Sequence, residues 1–194
     1  MAVIHHTSLI PTKLELLRTW LPAQDWFHGT RTPELVAVGG FRLDDPAGQV
    51  GIECYLVTDT VTAHTYHVPM TYRGAPLPDA HDALIGTLEH GVLGRRWVYD
   101  GPGDPVFVAQ ALALLTGRAE AQDQQRDNTP DPDIDITCAA VDAPIALRVV
   151  RIPGDGDPHG RCGSVRGPWR TPQGRETHGV LLEATAMDGR NSRW

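Results

Sequence analysis

Three runs near the start of the chain alternate apolar and polar positions with the period of two that half-buried strands require. They cover residues 35–44, 49–59 and 63–73, and Asp45, Pro46, Ala47 and Gly48 supply hairpin-turn chemistry between the first two. An antiparallel meander of three strands is therefore expected. Pro69 lies inside the third run and has no N–H for a ladder, which places that strand at an edge or at a bulge. Gly74, Pro76 and Pro78 then break the pattern; residues 79–89 predict a short helix capped near Asp79, and residues 92–99 predict a further strand ending in a Gly/Pro turn.

Helical periodicity marks two other segments. Residues 11–21 place Leu14, Leu17 and Leu21 on one face behind Thr12 as cap, with Pro22 as the stop. Asp104 is a good N-cap, Pro105 suits the first helical position, and residues 106–124 predict about five turns whose apolar face, including Phe107, Ala111 and Leu115, covers the sheet. A short strand is expected over residues 2–6. Past a polar connector, residues 134–141 and 145–152 predict a hairpin, residues 153–175 a long Gly/Pro/Arg loop, and residues 180–185 a final strand. The resulting class is α+β: one unit over residues 1–125, a linker at 126–133, a β-rich extension at 134–186 that joins the same sheet or forms a small second unit, and a polar tail at 187–194.

Composition narrows the function classes more than it selects one. With 194 residues, 20 Gly and 16 Pro, the chain suits a loop-rich antiparallel protein better than a helical bundle. Net charge is −7, and −6 of it falls within residues 1–130, which argues against general nucleic-acid binding. No apolar run reaches membrane-span length, and Met1 to His6 lacks the basic and apolar segments of a signal peptide, so a cytoplasmic location is expected. Cys54, Cys138 and Cys162 are widely separated and odd in number, which predicts thiols rather than a disulfide framework or a zinc ribbon. His64 and His67, three apart on a strand, point to opposite faces, as do His5 and His6; no metal and no cofactor is indicated.

Three patches in order carry a family resemblance: residues 21–29 (LPAQDWFHG), residues 66–73 (YHVPMTYR) and residues 99–105 (YDGPGDP). Together they resemble the N-terminal cap domain of bacterial maltokinases and related aminosugar kinases, over roughly residues 1–125. The resemblance implies a curved antiparallel sheet packed on helices, similar to a cystatin-like arrangement. It also implies a link to glycogen, maltose or trehalose metabolism. Where such caps usually read Trp-Phe-Gly-Gly-Lys, this chain has Trp26, Phe27, His28, Gly29 and Thr30. A kinase body needs a phosphate-binding lysine, a catalytic-loop carboxylate and metal-binding Asp and Asn. Lys13 is the single lysine, and no such loops follow it, so the chain is not expected to act as a kinase on its own.

Two clusters are candidates for chemistry or recognition. Glu89, His90, Arg95, Arg96, Tyr99 and Asp100 fall within twelve residues and could furnish acid, base and anion-binding groups for a small enzyme acting on a sugar or sugar phosphate. The same residues could instead pair among themselves as structure. Arg161, Arg166, Arg170 and Arg175 surround Trp169 in the long loop, and with Trp26, Phe27 and His28 they are candidates for binding a ligand or a partner protein. A non-catalytic binding or regulatory module is the favoured expectation, with a sugar ligand, a partner in carbohydrate metabolism or a homodimer through an edge strand as its associations, and no nucleic acid or membrane.

Overall fold

A computed structural model describes residues 9–29, 31–139, 144–154 and 161–187. The chain forms β1 (Leu9–Ile10), α1 (Lys13–Trp20), β2 (Leu35–Leu43), β3 (Gly51–Asp59), β4 (Thr65–Arg73), β5 (Leu84–His90), β6 (Gly94–Asp100), α2 (Pro105–Leu115), β7 (Asp135–Thr137), β8 (Ile145–Gly154), β9 (Arg161–Arg170) and β10 (Glu176–Ala186). Two antiparallel sheets result, one in the order β1-β5-β6-β4-β3-β2 and one in the order β7-β9-β10-β8. The class is α+β, and the larger sheet is curled into a half-barrel.

The meander β2-β3-β4 follows the alternation of its residues. Asp45 folds its turn by accepting N–H groups of Ala47, Gln49 and Val50, which hold its carboxyl below the usual range although burial pushes it up. Register sorts the side chains of β3 and β4 onto two faces. Glu53, Tyr55 and Val57 stand opposite Met70, Val68 and Tyr66, whereas Ile52, Cys54 and Leu56 stand opposite Thr71, Pro69 and His67. The first face packs on Leu17 and Leu21 of the α1 region, with Ile85, Leu88 and Val98. The second packs on Phe107, Ala111, Leu114 and Leu115 of α2 and on Val165, Trp169, Leu181 and Leu182 of the smaller sheet. The two sheets therefore share a core, and both faces of the larger one are covered.

A bulge in β2 decides which face its residues reach. Before it Leu35 and Ala37 pair with Asp59 and Val57; after it Gly39, Phe41 and Leu43 pair with Leu56, Cys54 and Ile52. Phe41 and Leu43 are thereby turned into the core shared with the smaller sheet. Gly40 has φ +134°, and a Cβ there would stand 2.2 Å from the Cys54 carbonyl oxygen, so glycine is required.

Both helices start where the sequence says. Thr12 and Glu15 form a capping box, and Asp104 accepts the Val106 N–H at α2. Asp104 also receives Thr71 Oγ1 and both Nε and Nη2 of Arg73 at 2.6 Å; burial raises its carboxyl, but these donors hold it below its ordinary value. Helix α2 stops after three turns rather than five, because Gly117 takes a left-handed φ of +71° and its N–H bonds to Leu114 O.

Other expectations are corrected. Residues 79–89 are no helix: a 3-10 turn at His81–Ala83 leads into β5, which pairs with β6 and gives that strand its second neighbour. Helix-forming residues yield to the ladder here. Pro69 is in an interior strand; pairing with β6 begins at Met70, one residue later, so the missing donor falls just outside the β4–β6 ladder. The hairpin expected at 134–152 is absent, since β7 pairs with β9 and β8 with β10. The supposed loop over 153–175 contains β9, which forms a hairpin with β10 around residues 171–175. The strand expected at residues 2–6 lies outside the described residues, as do residues 188–194 of the tail.

Candidate functional site

The dense polar cluster of residues 89–100 is divided by the strand geometry that carries it. Glu89 faces Arg95 across the β5–β6 ladder, and Arg95 Nε donates to Glu89 Oε1 at 2.9 Å in an exposed pair. His90 Nδ1 accepts the N–H groups of Val92 and Leu93, shaping the hairpin turn. Arg96 donates to the Leu93 carbonyl at 2.6 Å. Tyr99 is buried and its hydroxyl accepts the Leu77 N–H at 2.8 Å. Asp100 is the next residue along and so lies on the opposite face, opposite Met70. These groups do not converge on one point.

Asp100 instead joins the two sheets. Arg151 of β8 grips it with both terminal nitrogens, Nη1 to Oδ1 at 2.8 Å and Nη2 to Oδ2. Burial raises the Asp100 carboxyl even with this guanidinium against it. Arg151 also stands 4.7 Å from the centre of the Trp26 ring, a cation–π contact. Trp26 and Phe27 pack against Tyr66, with ring centres 6.0 Å and 5.1 Å away, and the Tyr66 hydroxyl accepts the His28 N–H at 3.3 Å. Trp26 thus offers Arg151 of the smaller sheet an aromatic surface, Phe27 packs behind it on Tyr66, and His28 is exposed beside His64.

His67 marks the same seam from the other face. Its Nδ1 lies 3.3 Å from Val150 O and 3.1 Å from Leu181 O, so it carries the proton and donates across to β8 and β10 of the smaller sheet. The ring is wholly buried, and Nε2 has no hydrogen-bond partner. Burial, with Arg151 nearby, lowers its pKa to about 3, which keeps the imidazole neutral.

Lys13 has a structural task too. Its ammonium donates to both oxygens of Glu53 at 2.9 and 2.7 Å and lies against the rings of Tyr55 and Tyr72. Tyr72 Oη and Gln124 Nε2 complete the shell around this buried carboxylate. Burial and the neighbouring Glu53 push the phenols of Tyr55 and Tyr72 up, so both remain neutral donors.

The residues expected around Trp169 are spread along β9 and its hairpin. Trp169 is buried, its indole lying over Gly179. Arg161 pairs with the buried Glu183, Arg166 stands opposite Asp135 and Val180, Arg170 approaches Glu176 at 3.8 Å, and Arg175 sits in the exposed turn. Trp169 and Arg170 do reach one concave site. A cavity of about 240 Å³ opens where the β2 bulge meets β9, lined by Val38, Gly39, Gly40, Asp131, Asp133, Ile134, Pro168, Trp169, Arg170 and Glu176. Burial raises the Asp131 carboxyl, and the charges of Asp133 and Asp123 raise it further against the N–H of Asp133 that it accepts.

Sequence reasoning missed most of this arrangement. Adjacent glycines inside a strand pattern are a bulge signal, so Gly39 and Gly40 could have marked the cleft. No local signal links His67 or Asp100 to strands more than fifty residues away. No helix is long and apolar enough to cross a membrane, and no group of three or more His, Cys, Asp and Glu is placed to hold a metal ion, both among the described residues.

No curated protein matches the chain. A family model does match the part of it that runs from the end of α1, through the five strands β2 to β6, to the cap of α2: residues 20–104 are similar to the maltokinase N-terminal cap domain.

Proposed function

We propose that the chain is a non-catalytic binding or regulatory module of the maltokinase-cap type, acting in the cytoplasm on glycogen, maltose or trehalose metabolism through a sugar ligand or a partner enzyme. The match over residues 20–104 carries this reading. Its support in the geometry is that Glu89 and Arg95 pair with each other at the surface, whereas Tyr99 is tied to Leu77 and Asp100 to Arg151, on different faces and edges of the sheet. An acid, a base and an anion clamp acting on one substrate need to converge within hydrogen-bond reach of it. The metabolic link rests on the family alone.

A thermal-shift screen against glucose, maltose, trehalose, their phosphates and ATP with magnesium tests the reading, alongside turnover assays on the same compounds. A sugar present at a hundredfold excess over its dissociation constant stabilises the fold by about 2.7 kcal/mol, a readily visible shift. Stabilisation by a sugar without turnover, or a stable complex with a purified enzyme of this metabolism, supports the module. Turnover abolished by Arg95→Ala overturns its non-catalytic character; no response to any sugar and no such complex overturns the carbohydrate link.

A further inference from the structure

Strand register builds a small polar box on the face of the larger sheet that α1 covers. Gly51, Glu53 and Tyr55 follow one another along that face of β3, and Tyr72 of β4 stands opposite Gly51, so the two tyrosines flank the Glu53 carboxylate. Tyr72 Oη donates to Glu53 Oε2 at 2.8 Å, and Gln124 Nε2 donates to Oε1 at 3.1 Å. This buried carboxylate is therefore aimed by groups that lie outside α1. Its remaining acceptor positions meet the Lys13 ammonium, which stands 5.2 Å and 5.8 Å from the centres of the Tyr55 and Tyr72 rings. A carboxylate set in place between two π faces suits a compact cation, and its setting does not depend on the cation that fills it.

Lys13 is matched to this box and poorly matched to its place in the helix. Among 17 basic residues it is the single lysine. An ammonium is a compact point charge with three rotatable donors and fits between the rings, whereas a planar guanidinium needs an edge-on approach to the carboxylate. Lys13 is also the first residue of α1, where the helix dipole opposes a cation. The helix is 8 residues long, too short to persist by itself, and Leu17 is its one fully buried residue. Lys13 is thus the polar anchor of α1 on β3 and β4, and beneath the helix lie the apolar Val57, Tyr66, Val68 and Met70.

We propose that Glu53, Tyr55 and Tyr72 form a receptor for a primary alkylammonium group, and that Lys13 fills it as an in-chain ligand, which makes α1 a releasable strap over the apolar face of the larger sheet. The assignment goes beyond the carbohydrate-linked reading and does not depend on it.

Calorimetric titration of Lys13→Ala with n-butylammonium chloride at constant ionic strength tests the receptor, with n-butanol as the uncharged comparison. Binding should be saturable and should weaken about tenfold or more when Glu53→Gln is added to the same chain. The natural chain should bind at least about tenfold more weakly, because Lys13 competes at the effective concentration of a tethered group. Amide hydrogen exchange tests the strap: in Lys13→Ala the amides of residues 16–21, which are bonded within the helix and its cap, should exchange about tenfold faster while β3 and β4 keep their protection. The natural chain gives a reading that needs no substitution, since a large excess of n-butylammonium should speed exchange at residues 16–21 and n-butanol should not. Absence of saturable binding to Lys13→Ala, indifference to Glu53→Gln, an equal response to n-butanol, a natural chain that binds as tightly as Lys13→Ala or keeps its α1 protection in excess amine, or α1 exchange that rises only together with that of β3 and β4 would each overturn the proposal.

Discussion

His67 offers the most direct test of how the two sheets are held together. Its neutral ring, donating from Nδ1 to Val150 O and Leu181 O, is buried with a pKa of about 3 in the fold, against an ordinary value of 6.5 in the unfolded chain. A base whose pKa is depressed by folding contributes stability that is full above the unfolded value and drains away as pH falls toward the folded one. Between pH 7.5 and 4.5 the unfolded chain gains close to one proton at this site and the folded chain almost none. Two decades of pH below 6.5 at 1.36 kcal/mol each give a loss of about 2.7 kcal/mol from His67 alone. His67→Phe keeps the ring volume and removes the titration. Urea unfolding of both proteins at pH 7.5, 6.5, 5.5 and 4.5 isolates the effect, because the other histidines and the carboxylates titrate in both and cancel in the difference. The stability advantage of the natural protein over His67→Phe should shrink by about 2–3 kcal/mol across that range. A difference that stays constant within about 0.5 kcal/mol would refute the buried, neutral seam, since it would mean that His67 is protonated alike in both states.

Removal of Arg151 should leave Asp100 charged and largely buried. Arg151→Met is expected to cost roughly 2–4 kcal/mol in denaturant unfolding, with Asp100→Asn in the same chain recovering part of it; a cost below about 0.5 kcal/mol would show that the cross-sheet pair is not formed in solution. Gly40→Ala forces a Cβ to within 2.2 Å of the Cys54 carbonyl oxygen. A loss of more than about 2 kcal/mol should follow in thermal or urea unfolding, and an unchanged midpoint would argue against the bulge. Arg95→Ala, by contrast, breaks a pair whose side chains are 63% and 58% exposed. The melting temperature should barely move, consistent with less than about 0.5 kcal/mol, and a large drop would place Glu89 and Arg95 in a packed site.

Local chemistry was enough to find the elements whose causes lie within a few residues. The alternation of β2, β3 and β4, the Asp45 turn and the Thr12 and Asp104 caps could all be read directly, because each depends on spacing or on a hydrogen bond to a near neighbour. Where a segment's state depends on distant partners, the sequence pointed elsewhere. Residues 84–90 have the composition of a helix but lie as a strand because β6 offers a ladder. The Gly, Pro and Arg of residues 161–170 look like loop, yet β10 pairs with them along their length and Trp169 is drawn into the core.

The same distinction governs the candidate sites. Sequence alone determined which polar residues crowd residues 89–100 and that Trp169 and Arg170 are neighbours of other arginines. The packing of distant strands was needed to show that Arg151, 51 residues away, claims Asp100 and that the β2 glycines meet Asp131, Trp169 and Glu176 in one cleft. The physical reason is that a side chain's direction follows from its strand's period, whereas its partner follows from which strands the whole chain brings together.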